Sequence, residues 1–456
     1  MSFARYPAYQ DSGVEWLGDV PSHWHVDRLK ASIVSSKNGI WGDESKGDEN
    51  DTPCVRVADF DRQKLRVELV EPTIRNVTAR ERDGRTLNKG DLLLEKSGGG
   101  ENHPVGCVVL YDDECPAVCS NFVARVQLAP GMDSSYWRYV HAAAYAVRLT
   151  IGSINQTSGI QNLDQDRYYN ERAAFPTPEE QLAIATFLDH ETAKIDALVA
   201  EQERLIELLK EKRQAVISHA VTKGLDPSVP MKDSGVEWLS EVPAHWEVTR
   251  LKFVAHVQTG IAKGKDTSGK STITVPYLRV ANVQDGYLAL DDVATIDIEA
   301  EQLSRYQLLP GDVLMNEGGD FDKLGRGAIW TGEVHDCIHQ NHVFAVRPHG
   351  VSADWLNHVT GSRYAQFYFM GRSKQSTNLA SISSSNIMEL PVLVPPANEQ
   401  ASVQEFIKHE TARLDALKAT AEHAIALLRE RRTALISAAV TGQIDVRGWV
   451  PAESVA

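Results

Sequence analysis

The chain has 456 residues, of which 42% are hydrophobic and 24% charged, a composition typical of a globular protein with two or three domains. Its formal net charge of −15 argues against a chain that coats DNA by itself, although a local basic face remains compatible with DNA binding. No apolar run approaches the ~20 residues that span a bilayer and the first residues lack the apolar core of a signal peptide, so we expect a cytoplasmic protein that does not associate with membranes.

The first predicted element is an entry motif at 11–30, which reads "DSGVEWLGDVPSHWHVDRLK". It returns at 233–252 as "DSGVEWLSEVPAHWEVTRLK", with fifteen of twenty positions identical and a constant offset of 222. A repeat at this distance predicts two related structural units in one chain. The tryptophans of the motif are expected to pack each entry against its own unit: Trp16, Trp24, Trp238 and Trp246.

Each entry motif is followed by a segment that does not repeat, at 31–175 and at 253–393. β-branched and aromatic runs between Gly, Asn and Asp residues predict strands in both segments. Helical patterns lie among them at 134–149 and 352–369. The two segments are therefore predicted to share a mixed α/β (α+β) fold while their surface residues differ.

Polar, Gly-rich loops of these segments carry residue types that contact nucleic acids. Arg and Lys reach guanine or phosphates, Asn and Gln can pair with adenine, and Gly lets the backbone approach closely. Solvated loop tips are the alternative interpretation, but equivalent places of the two halves carry such loops with different residues. The candidates in the first half are Arg75, Arg80, Arg82, Arg85, Lys96, Ser97, Gly98, Gly99, Asn102, Asn155, Gln156, Ser158 and Gln161. The candidates in the second half are Asn316, Gly318, Gly319, Lys323, Arg326, Arg372, Lys374, Gln375 and Asn378.

A second repeat, 179–226 against 398–445, predicts a long helix after each variable segment. Thr177 and Glu180 form a capping-box pattern at the first start, and Asn398 is the expected cap of the second helix. Gly224 and Gly442 are the expected stops. Apolar residues recur at heptad spacing: Leu188, Ile195, Leu209, Val216, Ile407, Leu414, Ala421, Leu428 and Leu435. A second apolar stripe is expected at Leu198, Leu205 and Leu417.

Two arrangements of these helices are compatible with the pattern. They form an antiparallel coiled-coil pair, or each packs separately on its own domain. Matched length and heptad phase favour the pair. A break of the first helix near 189–192 is a further possibility, because Asp189 and Thr192 are residue types that cap helices.

The stretch "GKDTSGKS" at 264–271 matches the phosphate-binding pattern G-x-x-x-x-G-K-[ST]. A phosphate loop requires a helix after it, whose amides face the phosphates. The following "TITVPYLRV" predicts a strand instead, and the aligned 42–53 lacks the pattern. A flexible basic loop is therefore favoured, and a P-loop nucleotide-binding protein stays an alternative function.

A metal site is a second candidate, because His335, Cys337 and His339 would alternate onto one face of a strand. Their spacing fits no compact zinc module, and the counterpart in the first half carries Cys115 and Cys119 instead. Ordinary strand packing is favoured, so we expect neither a metal nor a cofactor in this chain. No catalytic constellation is found.

The entry motif and the helix sequence "EEQLAIATFLDHETAKIDAL" (179–198), both repeated in the second half, resemble the specificity subunits of type I restriction–modification systems. The resemblance covers the whole chain. It implies two globular target-recognition domains, separated by a pair of long antiparallel coiled-coil helices in a pseudo-twofold internal repeat. Each domain would read one half of a bipartite site in double-stranded DNA, and the helices would set the spacing and bind partner subunits. The implied boundaries are 1–175 and 227–393 for the recognition domains, 176–226 and 394–445 for the spacer helices, and 446–456 for a tail.

The resemblance also implies that this chain is not an enzyme. Two methylation subunits would supply adenine methylation with S-adenosylmethionine, and two restriction subunits would supply ATP- and Mg-dependent cleavage. The expected function is thus sequence-specific DNA recognition and scaffolding. A coiled-coil interaction protein without DNA function is a further alternative.

Overall fold

The computed structural model describes residues 3–100, 103–157, 159–263, 271–319, 321, 324–325, 327–375 and 380–450, with only the backbone of Gln156 and Thr157. The chain divides into two compact units. Unit 1 comprises Met1–Gln202 and His423–Ala456, and unit 2 comprises Glu203–Glu422. Both units mix helices and sheets, which agrees with the predicted fold class.

Unit 1 contains short strands and three short helices before the first long helix. The strands are β1 (Tyr9–Asp11), β2 (Asp19–Pro21), β3 (His25–Arg28), β4 (Ile33–Asn38), β5 (Asp43–Glu44), β6 (Asp51–Val55), β7 (Phe60–Asp61), β8 (Arg66–Val67), β9 (Thr73–Asn76), β10 (Leu92–Glu95), β11 (Ser97–Gly98), β12 (Val108–Leu110), β13 (Val118–Cys119), β14 (Val123–Leu128), β15 (Ile154–Thr157), β16 (Ile160–Leu163) and β17 (Arg172–Phe175). The helices are α1 (Ala79–Arg82), α2 (Ser134–Ala146) and α3 (Gln165–Tyr169). The long helix α4 (Pro178–Lys223) follows.

Unit 2 repeats this order, with fewer strands among its described residues. The strands are β18 (Met231–Asp233), β19 (Glu241–Pro243), β20 (Glu247–Arg250), β21 (Ala255–Thr259), β22 (Thr272–Leu278), β23 (Ala294–Glu299), β24 (Val313–Asn316), β25 (Gly318–Gly319), β26 (Gly327–Ile329), β27 (Ile338–His339), β28 (Val343–Pro348), β29 (Lys374–Gln375), β30 (Ala380–Ser381) and β31 (Pro391–Val394). The helices are α5 (Leu303–Tyr306), α6 (Ala353–Thr360), α7 (Arg363–Arg372) and α8 (Ser384–Met388). The long helix α9 (Ala397–Val440) follows, and its residues belong to unit 2 as far as Glu422 and to unit 1 from His423.

The central sheet of each unit is flanked by smaller ones. In unit 1 the order is β4-β14-β10-β12-β8-β7, beside a four-stranded sheet β13-β6-β9-β5. In unit 2 the order is β21-β28-β24-β26, beside a three-stranded sheet β23-β22-β27. Each unit also has a small polar sheet, β11-β16-β15 in unit 1 and β25-β30-β29 in unit 2.

The central strands are apolar because both faces are covered. Leu92 and Leu94 of β10 pack into one core cluster, whereas Leu93 points into a second cluster. Val313 of β24 likewise packs in one cluster and Leu314 in another. Alternation along β10 and β24 thus directs neighbouring side chains of each strand into different core clusters.

An Arg–Asp ion pair occupies the same place in both units. In unit 1 the Arg125 Nε donates to Asp91 Oδ2 at 2.6 Å, and both side chains are buried. In unit 2 the Arg347 Nε donates to Asp312 Oδ1 at 2.7 Å. The Arg347 side chain is 38% exposed, whereas that of Arg125 is 6% exposed.

The helical pattern at 352–369 is divided into two helices, which corrects the prediction of one stretch. α6 ends at Thr360, and Ser362 caps α7 by accepting a hydrogen bond from the Ala365 amide. The Ser side chain competes for backbone groups and starts a new helix directly after Gly361.

The start of α4 has the predicted capping box. The Glu180 amide donates to Thr177 Oγ1, and the Thr177 amide donates to Glu180 Oε2, each at 3.4 Å. Glu180 also contacts His23 of the entry motif at 2.9 Å. The same contact recurs in unit 2, where Glu399 meets His245 at 2.7 Å.

α4 is continuous through 189–192, so the suggested break is absent. Asp189 does not cap a helix, because it binds Arg138 and accepts a hydrogen bond from the Tyr139 hydroxyl at 2.7 Å. The Thr192 hydroxyl donates to the Leu188 carbonyl at 2.6 Å, within the helix.

The first predicted stripe is largely buried, at Leu188, Ile195, Leu209, Ile407, Leu414 and Ala421, and half-buried at Val216, Leu428 and Leu435. The second predicted stripe is wrong, since Leu198, Leu205 and Leu417 are 51%, 41% and 47% exposed. Val199 and Ile206 are buried in its place. In a straight helix, residues spaced seven apart rotate about the helix axis by ~20° per heptad. The line of buried residues therefore leaves the predicted heptad positions and reaches Ile217 and Ile436.

The entry motif packs as expected. Trp24 and Trp246 are 2% and 0% exposed, and Trp16 and Trp238 lie partly buried against the cores of their units. The long helices stop where predicted, at Gly224 and Gly442, with positive φ of 72° and 74°. The predicted cap of the second helix is wrong, because α9 begins at Ala397 and Asn398 lies inside it.

Candidate nucleic-acid interface

The basic stretch of unit 1 lies around α1. Arg80 is exposed, whereas Arg82 and Arg85 are half-buried. Arg85 donates to the carbonyl oxygens of Asn38 at 3.2 Å and Glu81 at 3.0 Å. These bonds hold Arg85 against the fold, so within this stretch Arg80 presents its charge most openly.

Arg75 on β9 is also engaged within unit 1. It donates to the carbonyl oxygens of Trp41 and Gly42 at 3.0 and 3.1 Å, and its guanidinium carbon lies 4.6 Å from the Trp41 ring centroid. Trp41 itself is 39% exposed. Arg75 and Trp41 thus form a fixed cation–π pair at the surface.

The candidate glycines have conformational reasons for their presence. Gly98, Gly99 and Gly319 have φ of 118°, 60° and 155°. A Cβ on Gly99 would lie 2.8 Å from the Val105 nitrogen, and one on Gly318 would lie 3.0 Å from the Ala380 carbonyl oxygen. Their role in DNA contact stays a prediction.

The small polar sheet of unit 1 brings three candidate regions together. Strands β15 and β16 form a hairpin in which Asn155 pairs with Asn162. β11 adds Ser97 beside Asn162, and the Ser97 hydroxyl donates to Asn162 Oδ1 at 2.6 Å. Asn155 and Asn162 are exposed. The sequence prediction omitted Asn162, although counting two-residue alternation outward from the turn pairs it with Asn155.

The corresponding sheet of unit 2 is built on the same register. Lys374 of β29 pairs with Ser381 of β30, and Gly318 of β25 pairs with the other side of Ser381. Lys374, Gln375 and Ser381 are exposed. Ser381 was likewise omitted by the sequence prediction. Arg372, in the last turn of α7, is exposed, with its guanidinium carbon 5.5 Å from the Tyr368 ring centroid.

Three other candidates face the interior. Gln161 is 9% exposed, and its Oε1 accepts a hydrogen bond from the Val105 amide at 3.2 Å. Asn316 donates to the carbonyl oxygen of Val283 at 2.9 Å. Lys96 is half-buried, and burial lowers the pKa of its amine. These contacts give structural reasons for the three residues.

Several predicted positions lie outside the described residues. They are Asn102, Ser158, Lys323, Arg326, Asn378, the side chain of Gln156 and most of the "GKDTSGKS" stretch at 264–270. The stretch is followed directly by strand β22.

The candidate metal ligands do not converge. His335 has an exposed side chain, whereas Cys337 and His339 are buried. His339 Nδ1 lies 2.7 Å from the Val343 carbonyl oxygen, and burial lowers its pKa. Within the described part of the chain, no group of three potential ligands could hold a metal ion.

An open polar groove of about 790 Å³ lies beside β4 and α3 in unit 1. Its lining includes Lys30, Lys37, Asn38, Arg85 and Gln165. Arg85 is the one candidate from the sequence among these five. The others were missed because their separation in sequence hides that β4 and α3 meet.

The chain is similar in sequence to two curated specificity subunits of type I restriction enzymes. The specificity subunit of the EcoKI type I restriction enzyme from Escherichia coli (strain K12) is 24% identical over 313 residues, which cover 66% of this chain and 63% of that protein. The StySPI specificity subunit from Salmonella potsdam is 23% identical over 306 residues, with the same coverages. The chain is related to type I restriction enzyme specificity subunits. The matched region spans less than two thirds of the length of either relative.

Two solved structures share the fold. The HsdS subunit of Thermoanaerobacter tengcongensis matches with a TM-score of 0.50 at 14% identity, covering 93% of this chain and 98% of that one. A chain from a structure of type I R-M complex assembly and conformational transition matches with a TM-score of 0.63 at 17% identity, covering 92% and 98%. No protein-family model matches the chain. None of the described helices is both long and apolar enough to cross a membrane.

Proposed function

We propose that this chain is the DNA-recognition subunit of a type I restriction–modification complex, reads a bipartite site, and has no catalytic activity of its own. The relationship to specificity subunits carries the proposal. The structure supports it, because two units keep the same internal contacts while they present different exposed polar residues at equivalent places.

The recognition domains are 1–175 and 227–393, and the spacer helices lie in 176–226 and 394–445, related by a pseudo-twofold repeat. Contacts within each unit support an antiparallel helix pair. In unit 1 Asp196 Oδ1 lies 3.0 Å from Arg432 Nε, and the ring centroids of Phe187 and Trp449 are 5.2 Å apart. Residues later in α4 therefore contact residues earlier in the C-terminal part of the chain, which is the order of an antiparallel pair.

Unit 2 has the equivalent arrangement. Arg213 Nε lies 3.3 Å from Asp415 Oδ1, and a Cβ on Gly224 would lie 3.2 Å from the Glu399 carboxylate. Asp196 and Asp415 occupy the same repeat position, as do Arg213 and Arg432. The two ion pairs are thus the same contact made once in each unit.

The partners are double-stranded DNA, two methylation subunits and, for cleavage, two restriction subunits. S-adenosylmethionine, ATP and Mg²⁺ belong to those partners. Heptad residues of α4 and α9 support a spacer role, because most of them are buried within the units.

The proposal is tested with the chain assembled with its methylation subunits. The complex should methylate adenine in a bipartite site, which is measured by mapping methylated adenines in a DNA library. Replacing 31–175 by the segment of another specificity subunit should change one half-site and leave the other unchanged. A change in both half-sites, or in neither, contradicts the modular assignment.

A matched variant addresses the P-loop alternative. Lys270→Ala should leave methylation specificity and nucleotide binding by the isolated chain unchanged, because the proposed function uses no nucleotide in this chain. Nucleotide hydrolysis by the isolated chain that the variant abolishes would favour the alternative.

A further inference from the structure

The two small polar sheets are built to the same plan but carry different side chains on their exposed face. In unit 1 the cross-strand row is Ser97, Asn162 and Asn155. In unit 2 the row is Gly318, Ser381 and Lys374. Both rows cross the whole sheet, from β11 or β25 at one edge through the central strand β16 or β30 to β15 or β29 at the other edge.

We infer that these rows are the base-reading elements of the two units, with Asn155 and Asn162 reading A·T pairs and Lys374 with Ser381 reading a G·C pair. The inference rests on the proposed function and names the residues that decide its specificity.

The rows face outward while their neighbours anchor the hairpins. In β16, Gln161 and Leu163 are 9% and 7% exposed, whereas the alternating Asn162 is exposed. In β30 and the residue after it, Ala380 and Ile382 are 2% and 1% exposed and Ser381 is exposed. Alternation along the central strands β16 and β30 therefore fixes which of their side chains point away from each unit.

The dimensions of a hairpin suit the major groove of DNA. A two-stranded β-ribbon fits this groove, which is ~12 Å wide. Strands lie ~4.8 Å apart, so neighbouring residues of a row reach adjacent base pairs, whose rise is ~3.4 Å. Both hairpins end their sheets with an edge strand, β15 or β29, rather than being enclosed between strands.

The chemistry of unit 1 fits A·T pairs. A carboxamide can pair with adenine N6 and N7 through two hydrogen bonds. Ser97 orients the Asn162 carboxamide through its hydrogen bond to Oδ1, so Ser97 is a positioning residue. Ile160 shares the face of Asn162 two residues away and is 52% exposed, which offers an apolar contact to the thymine methyl group.

The chemistry of unit 2 fits a G·C pair. The Lys374 ammonium has only donors, which match the two acceptors of guanine, O6 and N7. The Ser381 hydroxyl can donate or accept beside it. Gly318 places no side chain next to Ser381, so no counterpart of the Ser97 contact exists at this position.

The deciding experiment transplants one row into the other unit of the assembled methyltransferase. The variant Ser97→Gly, Asn155→Lys, Asn162→Ser gives unit 1 the residues of unit 2. Binding and methylation are measured on a randomised DNA library. We expect the first half-site to exchange A·T for G·C preference at one or two base pairs, the second half-site to stay unchanged, and affinity for the original site to fall by roughly 5- to 150-fold.

Two further variants separate specificity from charge and from folding. Asn88→Lys, an exposed change at the far end of β10 from Ser97, adds the same charge and should keep the original preference. Asn155→Lys alone changes one exposed side chain and should alter preference at a single base pair. A variant complex that folds and keeps the original first half-site overturns the inference while the proposed function stands. A wild-type complex without sequence-specific DNA binding removes the proposed function itself.

Discussion

The two units carry different residues on the exposed face of their polar sheets, but they share the contacts that stabilise each unit internally. His23–Glu180 and His245–Glu399 join each entry motif to a long helix. The Arg–Asp ion pairs are also repeated. Each long helix ends at a glycine with a positive φ. The exposed rows of the polar sheets carry different residue types at each equivalent position. The duplication therefore preserved internal contacts and left the outward-facing residues free to diverge.

The largest expected difference concerns the buried ion pairs. Asp91→Ala leaves the Arg125 guanidinium buried without its carboxylate, and breaking such a pair costs about 3–5 kcal/mol. Asp312→Ala should cost clearly less, because the 38% exposed Arg347 can be hydrated. Hydrogen exchange of each unit at several denaturant concentrations measures the two losses separately.

The conservative changes Asp91→Asn and Asp312→Asn serve as controls, since the amide keeps an acceptor for the Asn88 and Leu309 amides. Equal losses for the two alanine variants would show that exposure of the arginine does not decide the cost.

A smaller difference is expected at the helix stops. Gly442→Ala combines a left-handed backbone, which costs ~1–2 kcal/mol, with a Cβ only 2.3 Å from Pro21 Cδ, which adds overpacking of ~1–3 kcal/mol. Gly224→Ala has the same backbone cost, but its nearest atom is the flexible Glu399 carboxylate at 3.2 Å. Thermal unfolding followed by hydrogen exchange should therefore show unit 1 as the more damaged.

Gly442→Asn is the matched control, because Asn tolerates the left-handed backbone better than Ala. Loss of stability in unit 2 as large as in unit 1 would contradict the role of Pro21.

The smallest effect is a pH dependence of unit 1 that comes from His141. Burial lowers the pKa of His141 from 6.5 to about 4, and its Nδ1 lies 2.8 Å from the Tyr168 hydroxyl. Between these two values the unfolded chain therefore binds more protons than the folded chain. The contribution of neutral His141 to the unfolding free energy is complete above pH 6.5 and is lost as the pH falls toward 4. Between pH 7 and 5 unit 1 should lose about 2 kcal/mol. In the aligned helix of unit 2 the position is Val359, and burial lowers the pKa of the neighbouring His358.

His141→Gln should flatten this dependence, measured as the change in unfolding free energy of unit 1 with pH. An unchanged slope in the variant would assign the dependence to other groups.

Particular residues show why sequence reasoning succeeded at some positions and failed at others. The capping box of Thr177 and Glu180 was predictable because it uses residues three apart in sequence. The second stripe at Leu198 and Leu205 was wrong, because a strict heptad ignores the drift of a straight helix. Asn162 was overlooked, although the hairpin register places it beside Asn155.

The sequence by itself determined the duplication, the resemblance to specificity subunits, the mixed fold, the start of the first long helix and the stops of both long helices. These features depend on local patterns and on motifs repeated along the chain. Only the tertiary structure decided which polar residues are occupied internally, such as Gln161 and Asn316, and which stand together on an exposed row, such as Asn155 and Asn162. The physical reason is that strand register and burial depend on partners distant in sequence, and these partners determine whether a polar side chain is available to a ligand.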